Sequence, residues 1–327
     1  MAAPIVTDPA RAVALLRSGG LVALPTETVY GLGANALDPA AVARVFAAKH
    51  RPRFDPLILH QSSAERIFAY ARSVPDVAQR LAAGCWPGPL TMVLPRRHLV
   101  PDLVTAGLDT VALRVPSHPL MLAVLDQLDF PVAAPSANPF GYVSPTTARH
   151  VADQLGDRID LILDGGPCQV GVESTIVAFD GAQVTVLRKG GTPVEQLEAL
   201  LGQRVAVRTE SSSRPQAPGM LTQHYSPGLR LHLVTHGGAG PQVKAAAERA
   251  VVGFGPDVPE GPHTHNLSPT GDLVEAAQRL FGILRTLADR QYPEAVVSLV
   301  PERGLGWAIN DRLRRAAADA EAEGPGE

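Results

Sequence analysis

Residues 173–189, ESTIVAFDGAQVTVLRK, set two alternating apolar segments on either side of an Asp180-Gly181 turn signal, the pattern of an antiparallel hairpin. The residues before it alternate helix-like and strand-like segments, which alone would suggest a parallel α/β sheet. Together they predict a mixed sheet. Upstream, Thr7 or Asp8 before Pro9 opens an apolar-periodic helix stopped at Gly19-Gly20, and residues 21–24 follow as a buried strand. Asp38-Pro39 repeats the device before AAVARVFAAK, and residues 56–59 read as another short strand. Ser117 to Pro119 lead into LMLAVLDQL and then PVAAP, and a fourth helix near residues 146–156 precedes LILD. Downstream, a helix over 193–201 and a strand over 205–207 complete a first domain, residues 1–208.

Residues 209–228, TESSSRPQAPGMLTQHYSPG, carry no periodicity and read as an interdomain linker. Met220, Leu221, His224 and Tyr225 are unusual in a spacer and predict that part of it docks on a domain. Beyond it, RLHLVTH, VVGFGP and AVVSLVP read as strands, with LVEAAQRLFGILRTLADR and GWAINDRLRRAAAD as amphipathic helices. They make a second, smaller Rossmann-like α/β domain, residues 229–327, with a frayed tail at EAEGPGE.

The composition narrows the class. Of 327 residues 45% are hydrophobic and 19% charged, enough to bury a core. No apolar run approaches the roughly 18 residues of a membrane span, and Asp8, Arg11 and Arg17 break up the N-terminal apolar stretch, so a soluble, cytoplasmic protein is expected. Cys85 and Cys168 lie in no C-x-x-C or C-x-x-H pair and read as structural thiols. With 29 basic against 32 acidic residues the net charge is -3, so any affinity for anions must be local. The 30 glycines and 30 prolines are spread without period and promise many defined loops, where function is sought.

Polar and cationic residues recur at strand ends. PTETVYGLGANA places Thr26, Glu27, Thr28 and Tyr30 between a strand and a glycine-containing turn, and lacks the third glycine of a dinucleotide fingerprint. KHRPRFDPLILH puts Lys49, Arg51 and Arg53 ahead of a strand ending at His60, either an anion clamp or a solvated basic turn. In DTVALRVP, even spacing puts Thr110 and Arg114 on one strand face, and a buried Arg114 would need a partner. PVAAPSANPFGYVSP adds Ser136, Asn138 and Ser144, while ESTIV and VLRKG add Ser174, Thr175, Arg188 and Lys189. Each has an ordinary turn or surface explanation, which does not explain the recurrence at five strand ends.

The strings PTETVYGLG, K-x-R-P with PL and His60 behind it, S-x-N, ESTIV, VLRKG and HYSP follow one another in order over about residues 9–228. In that combination they resemble the threonylcarbamoyl-AMP synthase family, the YrdC-type proteins. The second domain looks like that of the family's long, two-domain branch. The resemblance implies a YrdC-like twisted mixed sheet with helices and a concave basic cleft. It implies a nucleotidyltransferase that turns L-threonine, bicarbonate and ATP, with Mg2+, into threonylcarbamoyl-AMP and pyrophosphate. A downstream transferase would then modify the adenosine beside the anticodon of tRNA. Position by position, Thr28, His60, Arg114, Ala134 and Ser174 would surround threonine. Arg51, Asp55, Thr110, Ser136, Ser144, Arg188 and Tyr225 would contact ATP, with Lys49, Arg51 and Asn138 stabilising charge. Asp55 departs from the Asn frequent at this position in the family. No protein side chains are assigned to a metal. The chemistry needs no protein nucleophile, only neutralisation and positioning of two anions. The alternative is a non-catalytic module gripping tRNA or double-stranded RNA phosphates. Local cations permit it, and permit weak RNA contact by an enzyme, but net charge and the lack of an aromatic stacking platform oppose it.

Overall fold

The computed structural model describes residues 2–208, 217, 224–235 and 249–318. The chain divides into two units, one comprising Met1–Phe140, Pro145–Gln169 and Glu173–Leu221, the other Gly141–Ser144, Val170–Val172 and Thr222–Glu327.

The first unit begins with β1 (Ile5–Val6), α1 (Pro9–Arg17), β2 (Val22–Leu24), β3 (Gly31–Asn35), α2 (Pro39–Lys49) and β4 (Ile58–His60). Next come α3 (Ala64–Phe68), α4 (Asp76–Cys85), β5 (Leu90–Pro95), α5 (Asp102–Thr105), β6 (Thr110–Arg114), α6 (Pro119–Asp126) and β7 (Val132–Ala133). It closes with α7 (Ala148–Leu155), β8 (Leu161–Leu163), β9 (Thr175–Asp180), β10 (Gln183–Arg188), α8 (Val194–Leu201) and β11 (Ala206–Val207). The strands form one sheet in the order β1-β8-β2-β3-β7-β4-β6-β5-β9-β10-β11. It is mixed, as the hairpin predicts: β9 and β10 pair antiparallel with Gln183 opposite Asp180, while β4 with β6 and β5 with β9 pair parallel.

Helix starts follow the capping chemistry. Asp8 and Asp38 each accept from the backbone N–H two residues on, at 2.9 Å, just ahead of the helices that Pro9 and Pro39 begin. The third helix is capped by His118 rather than Ser117: Pro119 takes the first helical position, and His118 Nδ1 accepts from Leu120 N at 3.2 Å. Leu57, Leu59, Met92, Leu113 and Val177 share a buried apolar cluster with α4, and Leu24, Val132 and Leu161 share another with α1 and α6. Burial on this scale contributes about 25 cal/mol per Å2 of apolar surface.

One reading is corrected. The glycines of YGLG do not make a turn; they belong to β3, a buried strand paired antiparallel with β2 and β7. A Cβ on Gly33 would stand 2.7 Å from Leu24 Cδ1 and 3.0 Å from Val132 Cγ1, so glycine here permits close packing rather than a bend.

In the second unit β12 (Arg230–Val234), β13 (Arg249–Gly253), β14 (Thr264–Asn266) and β15 (Glu294–Ser298) form an all-parallel sheet in the order β12-β15-β13-β14. With α9 (Leu273–Asp289) and α10 (Gly306–Ala317) it is the small α/β fold expected. Asn310 joins α10 to the end of β15, accepting from Val300 N at 2.9 Å and donating to Val300 O at 2.8 Å. Within the predicted linker, Ala217 is buried with Ile58, Val93 and Ile176 of the first unit, whereas His224 and Tyr225 are buried in the second. The docking expected of Met220 and Leu221 falls outside the described residues.

Candidate active site

In the first unit, the loop after β2 and the carboxyl ends of β4 and β6 bring one group of predicted residues together. Thr26 Oγ1 accepts from the N–H groups of Thr28 and Val29, at 3.1 and 3.2 Å, and lies 2.8 Å from Thr28 Oγ1. That turn holds Thr28 where Arg114 reaches it: Arg114 Nη2 donates to Thr28 Oγ1 at 3.0 Å and to Glu27 Oε1 at 2.7 Å. Glu27 Oε2 accepts from Ser117 N at 3.1 Å, so the carboxylate is fixed at both oxygens. The Arg114–Glu27 ion pair is buried, an arrangement in which losing one partner leaves an uncompensated charge. This pairing answers the demand that a buried Arg114 be partnered.

His60, ending β4, is in register with Arg114 and Val132, which puts its ring at the same level of the sheet. Burial, reinforced by Arg114, lowers its pKa to about 3, so the imidazole is neutral at physiological pH. Ala134, buried just beyond β7, donates its N–H to Ile58 O at 3.1 Å.

A second group gathers cations. Lys49, the last residue of α2, is buried, and its ammonium donates to the carbonyls of Asn138 and, at 2.5 Å, of Ser136. The S-x-N loop therefore presents carbonyls to Lys49, in addition to its side chains. Burial and then Arg51 hold the Lys49 pKa well below the usual lysine range, with Asp55 opposing them. Arg51 donates through Nε to Asp55 O at 3.2 Å and through Nη2 to Pro56 O at 2.9 Å, with Nη2 also 2.8 Å from Asp55 Oδ2. That last contact is an ion pair without hydrogen-bonding direction, since among the described residues neither carboxylate oxygen of Asp55 has a hydrogen-bond partner. The Asp55 pKa is raised, by burial, against the opposing pull of Arg51, Lys49 and Arg188.

Ser174 joins Arg188 to Thr91 of β5. Its Oγ lies 2.8 Å from Thr91 Oγ1 and accepts from Arg188 Nη2 at 3.2 Å, and its carbonyl accepts from Arg188 Nε and Nη2 at 3.1 and 3.0 Å. Arg188 ends β10 and Ser174 precedes β9, so the hairpin itself brings them together. Gly190 lets the chain turn away: a Cβ there would sit 2.3 Å from Glu173 O and 2.5 Å from Ser174 O. Thr110 begins the strand that Arg114 ends, about 13 Å away at the usual rise per residue. Thr110, named for ATP, and Arg114, named for threonine, thus lie at opposite ends of β6.

Ser144 and Tyr225 belong to the second unit. Tyr225 has a left-handed backbone (φ 69°) and is buried with its ring centroid 4.0 Å from that of His224 and 5.7 Å from that of Phe281. The Arg312 guanidinium carbon lies 5.1 Å from the same ring, within cation–π range. Glu27 and Thr91 were not singled out as site residues by the sequence. Glu27 stood in the quoted PTETVY string, whereas Thr91 had no local signal beyond a polar residue in an apolar strand.

Two family models cover the chain: one described as "Telomere recombination" matches residues 14–190, and one described as "Threonylcarbamoyl-AMP synthase, C-terminal domain" matches residues 192–318. A threonylcarbamoyl-AMP synthase of Pyrococcus abyssi is 41% identical over 318 residues, covering 94% of this chain and 93% of the relative. Its counterpart in Bacillus subtilis is 38% identical over 325 residues, covering 94% and 92%. The crystal structure of P. abyssi Sua5 complexed with L-threonine aligns with a TM-score of 0.88 at 37% identity, covering 97% of this chain and 98% of that one.

Proposed function

Because the chain belongs to the threonylcarbamoyl-AMP synthase family, we propose that it condenses L-threonine, bicarbonate and ATP into threonylcarbamoyl-AMP and pyrophosphate. The observation that carries the reading is that the first unit buries two sets of polar side chains at its strand ends: Thr28 with Arg114, and the basic residues Lys49, Arg51 and Arg188. Threonine is a small zwitterion, and its carboxylate suits Arg114, which offers forked donors. The neutral His60 and buried Ala134 would wall its methyl and hydroxyl. Threonine's amine then captures bicarbonate-derived carbon dioxide as a carbamate. A carbamate oxygen attacks the α-phosphorus of ATP, the bond to the bridging oxygen breaks, and pyrophosphate departs in line.

The carbamate, ATP, the adenylate product and pyrophosphate are all anionic. The protein's contribution is to neutralise and align, with Lys49, Arg51 and Arg188 facing the phosphates, Thr110 and Ser136 completing the nucleotide contacts, Asp55 standing beside Arg51, and Asn138 with Lys49 shaping the loop. Exclusion of water would protect a hydrolysable carbamate and mixed anhydride. Magnesium enters this reading with ATP, as part of the substrate, and supplies charge neutralisation. Among the described residues no group of three His, Cys, Asp or Glu is placed to hold a metal. No step is assigned to a protein-held cation.

The product, an activated carbamoyl group on AMP, requires a transferase acting on a nucleophile such as the adenosine amino group of tRNA. Among the described residues no helix is long and apolar enough to cross a membrane; we assign the reaction to the cytoplasm, where ATP and tRNA are found. The test is pyrophosphate release from ATP and Mg2+ in a matrix that includes or omits threonine and bicarbonate. Release requiring both is expected; release indifferent to threonine overturns the reading.

A further inference from the structure

We infer that Asp55 is the resident counter-anion of the polyphosphate subsite, holding in the free protein the charge that the triphosphate takes over and so weakening the grip on ATP and on departing pyrophosphate. The inference rests on the reading above, which places the nucleotide's phosphates at Lys49, Arg51 and Arg188.

Asp55 is 0% exposed and stands in the loop between α2 and β4, while Lys49 ends α2 and Arg188 ends β10. Arg51 is in direct contact with the carboxylate, and the charges of Lys49 and Arg188 act on it from other elements. A buried carboxylate kept for structure is normally held by directed N–H or O–H donors, yet among the described residues neither oxygen of Asp55 has one. The Arg51 guanidinium, 2.8 Å away, directs hydrogen bonds to the carbonyls of Asp55 and Pro56. What remains to Asp55 is its charge. That charge offsets the repulsion of Lys49, Arg51 and Arg188 held together out of water, and opposes the arrival of more negative charge. An amide would relieve nothing among the cations, so an anion at this position changes polyphosphate affinity in a definite direction. The useful consequence is at the end of the cycle: pyrophosphate, the more compact polyanion, leaves a site that regains its own anion, and product release is a step that often limits turnover.

The experiment is calorimetric titration of the full-length protein and its Asp55→Asn and Asp55→Ala variants, at neutral pH with Mg2+, using inorganic pyrophosphate and ATP as separate probes. Both variants should bind both probes more tightly, by about tenfold or more at short charge separations in a buried site. Pyrophosphate should also inhibit their threonine-dependent turnover at correspondingly lower concentration. Weaker ATP binding with unchanged pyrophosphate binding overturns the proposal, because Asp55 would then be accepting from a donor on the nucleoside. Unchanged or weaker binding of both probes overturns it in favour of a structural role. If the unaltered protein binds neither probe and releases no pyrophosphate, the reading of the site falls too. Threonine- and bicarbonate-dependent release with affinities unmoved by the variants leaves that reading standing and sinks the counter-anion alone.

Discussion

His60 illustrates what burial does to a titratable side chain. Its pKa falls from 6.5 to about 3, chiefly through desolvation and secondly through Arg114, so it serves the site as a neutral wall and not as a cation. The same shift has a stability consequence. Below pH 6.5 the unfolded chain takes up a proton that folded His60 refuses, so the contribution of His60 is complete above that pH and is lost progressively toward pH 3. Between pH 6.5 and 5 the unaltered protein should lose roughly 2 kcal/mol more stability than an His60→Gln variant, at about 1.4 kcal/mol per pH unit. Urea unfolding at the two pH values checks this, and equal losses would refute it. Arg114 shows the complementary case, a buried guanidinium that Glu27 and Thr28 meet at 2.7 and 3.0 Å.

Among the elements, the β9–β10 hairpin does most to assemble the site. It returns the chain so that Arg188 grips the carbonyl of Ser174, fourteen residues earlier, and the turn that follows passes too close to that carbonyl for any side chain. Gly190→Ala should therefore displace either the turn or Ser174, costing about 1 to 3 kcal/mol in stability as overpacking does and lowering kcat/KM for both threonine and ATP by about tenfold or more through misplacement. Steady-state kinetics with each substrate varied will check it. A loss confined to one substrate would mean that Ser174 and Arg188 do not move together. β3 makes a similar point about glycine: two residues that look like a turn signal are instead the thin places that let β2 and β7 close on a buried strand.

Across the whole molecule, the residues named for threonine all lie in the first unit, whereas Ser144 and Tyr225 lie in the second. A chain ending at residue 221, the boundary of the first unit, keeps Thr28, His60, Arg114, Ala134 and Ser174 and loses Tyr225. If the second unit serves the adenylation step and not threonine binding, threonine affinity should change little while the yield of threonylcarbamoyl-AMP per ATP consumed falls by about tenfold. Binding by calorimetry and product quantification by chromatography separate the two effects, and an undiminished yield would remove that role from the second unit. The left-handed backbone of Tyr225, held by His224, Phe281 and Arg312, is of the strained kind that persists where its surroundings over-determine it.

The signals legible in the chain were those whose causes lie within a few residues. Asp-Pro helix starts, the Asp180-Gly181 hairpin and the amphipathic run of α9 depend on neighbours two to four positions away, and the structure reproduces them. Ordered strings such as PTETVYGLG and VLRKG pointed to Thr28, Arg114, Ser174 and Arg188 for the same reason: strand-end loops must carry their polar groups locally. Other features had no local cause. Glu27 meets Arg114 across 87 positions and Thr91 meets Ser174 across 83. Whether Gly33 bends or packs depends on Leu24 and Val132, and whether Asp55 is solvated or encircled by cations depends on Arg188, more than a hundred residues away. A residue's type limits the bonds and charges it can offer, but which of them are spent, and on what, is decided when the sheet brings distant strand ends together and removes the water between them.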